Sequence, residues 1–250
     1  MHPTVKFSII LNTRKRVDLL SNFLISVFQN TCYTEELEVL IRCDDDDTET
    51  IDYIEETSRI FKSSDFLNIK LIKGPRPTNL HVSLNELARM ATGQNVFICN
   101  DDIQFLTPEW DIYASAVIEN CIEENGYHDG IYYCKTECNS FDRDQSKGYC
   151  SFPIISKKAI DALGFAMYED FVSLGGDSSI YRVYEGVGRV LDLPGLKIDH
   201  ILHRDLQSIC SPDLTAFEYR QKSAQHPVDP YTFDVSKEIA KLKEKINANY

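Results

Sequence analysis

An α/β fold with a mainly parallel, doubly wound sheet is predicted for this 250-residue chain by three observations. Apolar runs of strand length alternate with helical stripes as far as Cys99. The resulting β-α-β-α-β-α-β order implies right-handed crossovers between parallel strands. Polar and acidic clusters follow the strands, at the carboxyl ends where open α/β sheets bind ligands.

The elements follow in order. Val5 to Leu11 is an apolar run of strand length, and Val17 to Gln29 then sets Leu20, Phe23, Leu24, Val27 and Phe28 on one helical face. Leu37 to Arg42 predicts the second strand, which stops at the acidic run Asp44 to Asp47. Thr48 to Phe61 predicts a helix with Ile51, Ile54 and Phe61 as its stripe and acidic residues in its first turn. Ile69 to Ile72 is the third strand, closed by Gly74-Pro75-Arg76-Pro77. Asn79 to Ala91 is the next helix, with Gly93 expected as its left-handed C′ residue. Val96 to Cys99 is the fourth strand.

Beyond it the pattern is less regular. A helix is expected from Pro108, a strand near Gly130 to Cys134, another around Tyr149 to Ile155, and a short helix over Ser156 to Leu163. A helix follows Gly175-Gly176-Asp177, and Val190 to Ile198 is extended, interrupted at Pro194-Gly195. From Ser211 the chain turns polar and proline-bearing, then ends in a charged helix over Asp234 to Asn247 with a narrow stripe of Val235, Ile239, Leu242 and Ile246. The expected organisation is one domain over residues 1–210, with 211–250 packed on it as a helical extension.

Composition narrows the function. A hydrophobic content of 43% and a charged content of 26% are those of an ordinary globular chain, and the net charge of −13 argues against a nucleic-acid or anionic-membrane surface. No apolar run reaches the ~18 residues of an integral membrane segment. The eight cysteines include several in apolar runs, and no secretory signal precedes them, so free thiols in a cytoplasmic setting are expected. Cys134 and Cys138 lack a second pair at zinc-ligand spacing.

The chemistry concentrates at Asn100-Asp101-Asp102, where a buried strand runs into adjacent carboxylates. Such a pair needs a cation or hydrogen bonds, and hard oxygen ligands suit Mg²⁺ or Mn²⁺ with a phosphate. A solvated acidic turn is the structural alternative. Asp44 ends a strand as a carboxylate able to accept from a nucleobase, whereas an Asp-rich turn also starts helices for its own reasons. Arg14 and Arg16 follow the first strand, within reach of phosphate or base, or else are solvated loop charges. Asp177 begins a helix after two glycines, as either a base or an N-cap. Trp110 is a sugar-stacking or a core residue.

These pieces together resemble the inverting glycosyltransferases of family 2, with the GT-A fold. Ser8-Ile9-Ile10-Leu11-Asn12-Thr13-Arg14-Lys15-Arg16 followed by Asp18-Leu19-Leu20 is similar to the family's opening strand and turn. Glu38 to Asp45 is similar to the strand that holds the nucleobase, and Asn100-Asp101-Asp102 to the D-x-D motif, with Asn85 fifteen residues before it. Gly164-Phe165, Asp177 and Asp199-His200 follow the order of the acceptor-side motif, the catalytic carboxylate and a late metal-binding His.

The resemblance implies Thr13, Arg14, Arg16, Asp44, Asp45, Asn85, Asn100 and Asp101 as donor-nucleotide contacts. It implies Asp177 as the base, and Asp102 with His200 as ligands to Mn²⁺ or Mg²⁺, His203 being a second candidate. Donor and acceptor would be a nucleoside-diphosphate-sugar and a saccharide or other hydroxyl. The chain departs from the pattern at Asn100, at Cys43 where the family often has Asp, at Gly176 where many relatives carry Glu, and at Leu84 where an Arg is common. Two other functions stay open: a non-catalytic nucleotide-sugar-binding module of the same fold, and a sugar-phosphate nucleotidyltransferase. The second would need a Gly-rich turn that Asn12 to Arg16 lacks.

Overall fold

The computed structural model describes residues 4–63, 68–138, 148–172, 175–201 and 228–248. An eight-stranded sheet in the order β3-β2-β1-β4-β7-β6-β8-β5 organises them. The first half is β1 (Phe7–Thr13), α1 (Val17–Asn30), β2 (Leu37–Asp44), α2 (Thr48–Ser63), β3 (Asn68–Gly74), α3 (Leu80–Met90) and β4 (Asn95–Ile98). Its four strands pair in parallel throughout.

The second half is mixed. It comprises β5 (Ile103–Phe105), α4 (Trp110–Asn125), β6 (Tyr133–Cys138), β7 (Ile154–Ser156), α5 (Lys157–Leu163), α6 (Gly176–Gly186) and β8 (Val190–His200). β7 runs antiparallel to β4 and β6, β8 is parallel to β6, and β5 closes the edge antiparallel to β8. The interruption at Pro194-Gly195 is absorbed as a register shift, since Thr136 pairs with Leu193 and Glu137 with Lys197.

Period-two burial sorts the strands onto two cores. Phe7, Ile9 and Leu11 of β1, with Val39 and Ile41 of β2 and Phe97 of β4, face α1, α2 and α4. Ile10, Leu40, Val96 and Ile98 point the other way, onto α3, α5, α6 and the C-terminal helix α7 (Ser236–Asn247). The stripe foreseen on α7 packs there, with Val235 and Leu242 buried and Lys241 Nζ donating to Leu163 O at 2.8 Å. Residues 211–227 of the expected extension lie outside the described residues.

One expectation is corrected, and one open alternative is decided. Gly93 is not a left-handed C′ residue, because α3 ends at Ala91 in an extended conformation and Gly93 has no positive φ. It is glycine because a Cβ would stand 2.7 Å from the Ser8 backbone N. Trp110 is fully buried against Phe7, Phe97 and Phe105, with its indole N–H donated to Thr31 Oγ1 at 2.9 Å, so it stacks on core rings and not on a ligand.

Candidate functional site

Parallel pairing brings the carboxyl ends of β1, β2 and β4 side by side, and the loop after β1 bridges them. Lys15 adopts a left-handed φ of 50°, rare for a residue with a side chain, while its N–H donates to Asp47 Oδ2 at 2.5 Å. Around that turn the flanking arginines diverge. Arg14 reaches the end of β2, with Nη1 3.0 Å from Asp44 Oδ2 and Nη2 3.0 Å from Asp46 Oδ2. Arg16 reaches the end of β4, where its Nε donates to Asp101 Oδ2 at 3.0 Å, a second nitrogen bonds Asp101 Oδ1, and Nη1 lies 3.5 Å from Asp102 Oδ2.

Asp44 is buried, and burial raises its pKa against the pull of Arg14 and Arg42. Asp45 is exposed, its N–H extending the β2–β3 ladder to Gly74 O at 2.8 Å. Asp47 is the structural member of the run, accepting from Thr50 N to start α2. Cys43 cannot replace a carboxylate here, because burial and then the charges of Asp47 and Asp44 push its thiol up to about 12.

Asp101 and Asp102 are adjacent, both buried, and unlike. Asp101 accepts from Thr13 Oγ1 at 2.7 Å and from Arg16. Burial, reinforced by the neighbouring Asp102, still raises its pKa over the opposing pull of Arg16 and Thr13. Asp102 is also desolvated, but His200 and Arg16 outweigh burial and hold its pKa below the usual carboxylate value.

The element that joins Asp102 to His200 is β5, a three-residue strand that the sequence pattern did not reveal. Ile103 is paired with His200, and Ile201 N donates to Asp102 O at 2.9 Å. The two side chains meet, Asp102 Oδ1 lying 3.3 Å from His200 Nε2, and the edge of Phe152 packs at 5.1 Å on the imidazole ring. Asn100 is exposed. His203 lies outside the described residues.

Asp177 is half-buried in the first turn of α6. It is not the N-cap: Gly175 is, with φ 99°, and Asp177 Oδ1 accepts from Ser178 N at 2.8 Å. Gly176 leaves no room for the Glu of many relatives, since a Cβ would stand 2.4 Å from the His81 ring. That contact accounts for the glycine at position 176. The charge of Asp177 raises the pKa of the buried Tyr133 phenol, after burial and Cys150, and the Tyr133 O–H donates to Cys150 O at 3.3 Å.

Asn85 has a structural role that the sequence did not reveal. It is fully buried, Oδ1 accepts from Ala166 N and Met167 N at 2.9 Å each, and Nδ2 donates to Met167 O at 2.8 Å and Glu169 Oε1 at 3.0 Å. Every hydrogen-bonding site of the amide is in use, so Asn85 clamps the 166–169 strap. Sequence reasoning also missed the partners of that strap: Asn79 Nδ2 donates to Glu169 O, and His81 Nδ1 lies 2.8 Å from Tyr168 O. Asn79 was legible only as a helix start.

The model for glycosyl transferase family 2 matches residues 8–148 of this chain. The chain belongs to that family. Among solved structures, S. aureus TarS (1-349) is similar with a TM-score of 0.59 at 14% identity, over 98% of this chain and 72% of that one. The mannosyltransferase PcManGT from Pyrobaculum calidifontis, in complex with GDP-Man and Mn²⁺, is similar with a TM-score of 0.62 at 12% identity, over 98% and 68%. TarS in complex with UDP-GlcNAc gives 0.59 at 16% identity, over 97% and 72%. No curated protein matches the sequence. These likenesses establish the GT-A architecture, and among the described residues no helix is long and apolar enough to cross a membrane.

Proposed function

We propose that the chain is a metal-dependent inverting glycosyltransferase that moves a sugar from a nucleoside-diphosphate-sugar to an acceptor hydroxyl. The observation that carries this reading is the contact between Asp102 Oδ1 and His200 Nε2 at the carboxyl end of the sheet, with Arg16 beside it. One hard carboxylate oxygen and one imidazole nitrogen on a buried site fit Mn²⁺ or Mg²⁺, whereas Asp101 is already engaged by Thr13 and Arg16. Bound there, the cation would supply charge neutralisation for the departing diphosphate. The neighbours' complexes with UDP-GlcNAc and with GDP-Man and Mn²⁺ support the same class of donor and metal.

The remaining parts come from this chain. Arg16 is placed to turn its guanidinium from the carboxylates onto phosphate oxygens, and Arg14 orients the nucleoside end with Asp44 and Asp45. Asp177 accepts the proton of the acceptor hydroxyl as that oxygen bonds to the anomeric carbon and the bond to the diphosphate oxygen breaks. A one-step displacement needs no enzyme nucleophile and inverts the centre. A cytoplasmic setting fits the free thiols of the seven described cysteines. Residues 1–210 would form the catalytic unit and 211–250 an extension packed on it.

Calorimetry with UDP, GDP and dTDP, with and without Mn²⁺, tests the reading. Metal-dependent binding of one nucleotide that disappears in Asp102→Ala is expected. Binding indifferent both to metal and to Asp102→Ala would reject the site.

A further inference from the structure

The carboxylates after β4 hold a cation that the protein itself supplies. Asp101 and Asp102 have 0% and 8% of their side chains exposed, whereas Arg16 keeps 18%. The guanidinium is the solvent-facing member of the group. Its Nε donates to Asp101 Oδ2 at 3.0 Å, its Nη2 bonds Asp101 Oδ1, and its Nη1 stands 3.5 Å from Asp102 Oδ2. All three nitrogens face a carboxylate, so one positive charge is shared between two negative ones. Asp102 is thereby divided, with Oδ2 toward the arginine and Oδ1 3.3 Å from His200 Nε2.

The two sides of Asp102 are held differently. His200 is paired with Ile103 in the sheet, and Phe152 backs its ring at 5.1 Å. Arg16 is the N-cap residue of α1, where its carbonyl accepts from Leu20 N at 3.0 Å and its side chain makes no capping bond. The backbone is pinned, and the head sits on a flexible stem that can swing away by rotation alone. A divalent ion at Asp102 would meet this guanidinium as a like charge on the same carboxylate, and burial strengthens that opposition. A diphosphate relieves it by offering the guanidinium oxygens of higher charge.

We propose that Arg16 is a resident counter-ion standing in for the divalent cation at Asp102, displaced when a nucleoside diphosphate draws the guanidinium away. The inference deepens the reading of this crevice as a donor and metal site, and rests on it. Arg16 then couples the two ligands: each improves the affinity of the other by the same factor. Asp101 is the seat of the arginine and not a metal ligand.

Mn²⁺ binding to the full chain without nucleotide, followed by the EPR signal of the free ion, tests it. Arg16→Met should bind Mn²⁺ about tenfold more tightly than the wild type, the low end for removing a charge a few ångströms away. Adding Asp102→Ala should abolish that gain. Arg14→Met, whose guanidinium pairs with Asp44 and Asp46 instead, should show none. Because Arg16→Met leaves the buried Asp101 without its arginine, the comparison is repeated between Asp101→Asn and the Asp101→Asn/Arg16→Met double variant, where removing the arginine strands no charge at position 101. The factor by which UDP, GDP or dTDP raises Mn²⁺ affinity should shrink in both Arg16 variants. No gain in either comparison, an equal gain in Arg14→Met, or a gain that survives Asp102→Ala would each overturn the assignment. Calorimetry of the wild type and Asp102→Ala with nucleotide and Mn²⁺ separates the two readings. Asp102-dependent binding of both ligands, without a gain in the Arg16 variants, removes the counter-ion role alone. Absence of any Asp102-dependent metal binding, in every variant, removes both.

Discussion

The two ends of the central sheet both bury carboxylates, and they treat them in opposite ways. At the amino end, Glu38 is fully buried and accepts from Ser8 Oγ at 2.6 Å, Thr92 N at 2.6 Å, Thr92 Oγ1 at 2.8 Å and Lys70 Nζ at 2.7 Å. Burial pushes its pKa up, but Lys70, Ser8 and Thr92 together pull it below the ordinary value. At the carboxyl end, Asp44, Asp101 and Asp102 are balanced chiefly by long arginine heads from one loop and by a histidine from a distant strand. Three of the four donors to Glu38 are the short hydroxyls of Ser8 and Thr92 and a backbone N–H, which hold that charge in a fixed frame alongside Lys70. Guanidinium heads on flexible stems can exchange a carboxylate for a phosphate. The amino end is therefore read as structure and the carboxyl end as the ligand site.

The largest expected effect breaks the first half of that comparison. Glu38→Ala strands the Ser8, Thr92 and Lys70 donors around a hole and should cost about 3 kcal/mol of stability, the scale for removing one partner of a buried charged network. Urea unfolding measures the loss. Nucleotide affinity of the folded protein should be unchanged. A large change in affinity would mean that the two ends are coupled and the division is wrong.

Asp177→Asn addresses the other half. The substitution keeps the shape and the bond from Ser178 N but cannot take a proton, so kcat should fall ~10²-fold or more with nucleotide binding intact. Because Gly175 and not Asp177 caps α6, stability should move by less than about 0.5 kcal/mol. Transfer at the wild-type rate would remove Asp177 from the chemistry and pass the role to Glu169 or Asp170.

The two halves of the sheet also differ in how far the sequence exposed them. β1 to β4 were legible because each is a buried run flanked by a helical stripe, and parallel crossovers admit few arrangements. The mixed half was not. The strand expected near Gly130 to Cys134 lies at Tyr133–Cys138, and β5 is three residues whose partner is nearly a hundred positions away. No local pattern encodes such a pairing, yet it is what sets Asp102 against His200. The grouping of those two residues came from motif order in the family resemblance, which did not reveal the strap that Asn85 holds. A buried amide looks the same in sequence whether it faces a ligand or a neighbouring strap.

Gly93→Ala sharpens the structural reading of the amino end with a smaller effect. The new Cβ would stand 2.7 Å from Ser8 N and 2.8 Å from Phe7 C, both backbone atoms, so β1 and the turn before β4 must move apart. Overpacking of this kind costs about 2 kcal/mol. It should also lengthen the bond from Gly93 N to Ser8 Oγ, now 2.8 Å, and so loosen the Glu38 network. Hydrogen exchange at Gly93 and Thr92 would report it. Protection unchanged from the wild type would mean that the network does not depend on this close approach.

The smallest effect is a difference of sign with pH. Glu38 has a folded pKa below its ordinary 4.5, so between the two values the unfolded chain binds more protons. Its contribution is whole above about pH 4.5 and is lost as pH falls through the folded value. Asp101 is displaced the other way, first by burial, so above its ordinary 3.8 the folded protein holds the extra proton. Its contribution is greatest below that value and is lost as pH rises toward the folded pKa. In metal-free protein, the stability gap between wild type and Glu38→Gln should narrow on acidification below about pH 4.5, whereas the gap to Asp101→Asn should widen. Urea midpoints at a series of pH values from about 3 to 6 measure both slopes, and the subtraction cancels the other carboxylates. Slopes of the same sign would show that the carboxyl-end charge is as fully satisfied as Glu38, and the contrast between a saturated and an exchangeable carboxylate would fail at Asp101.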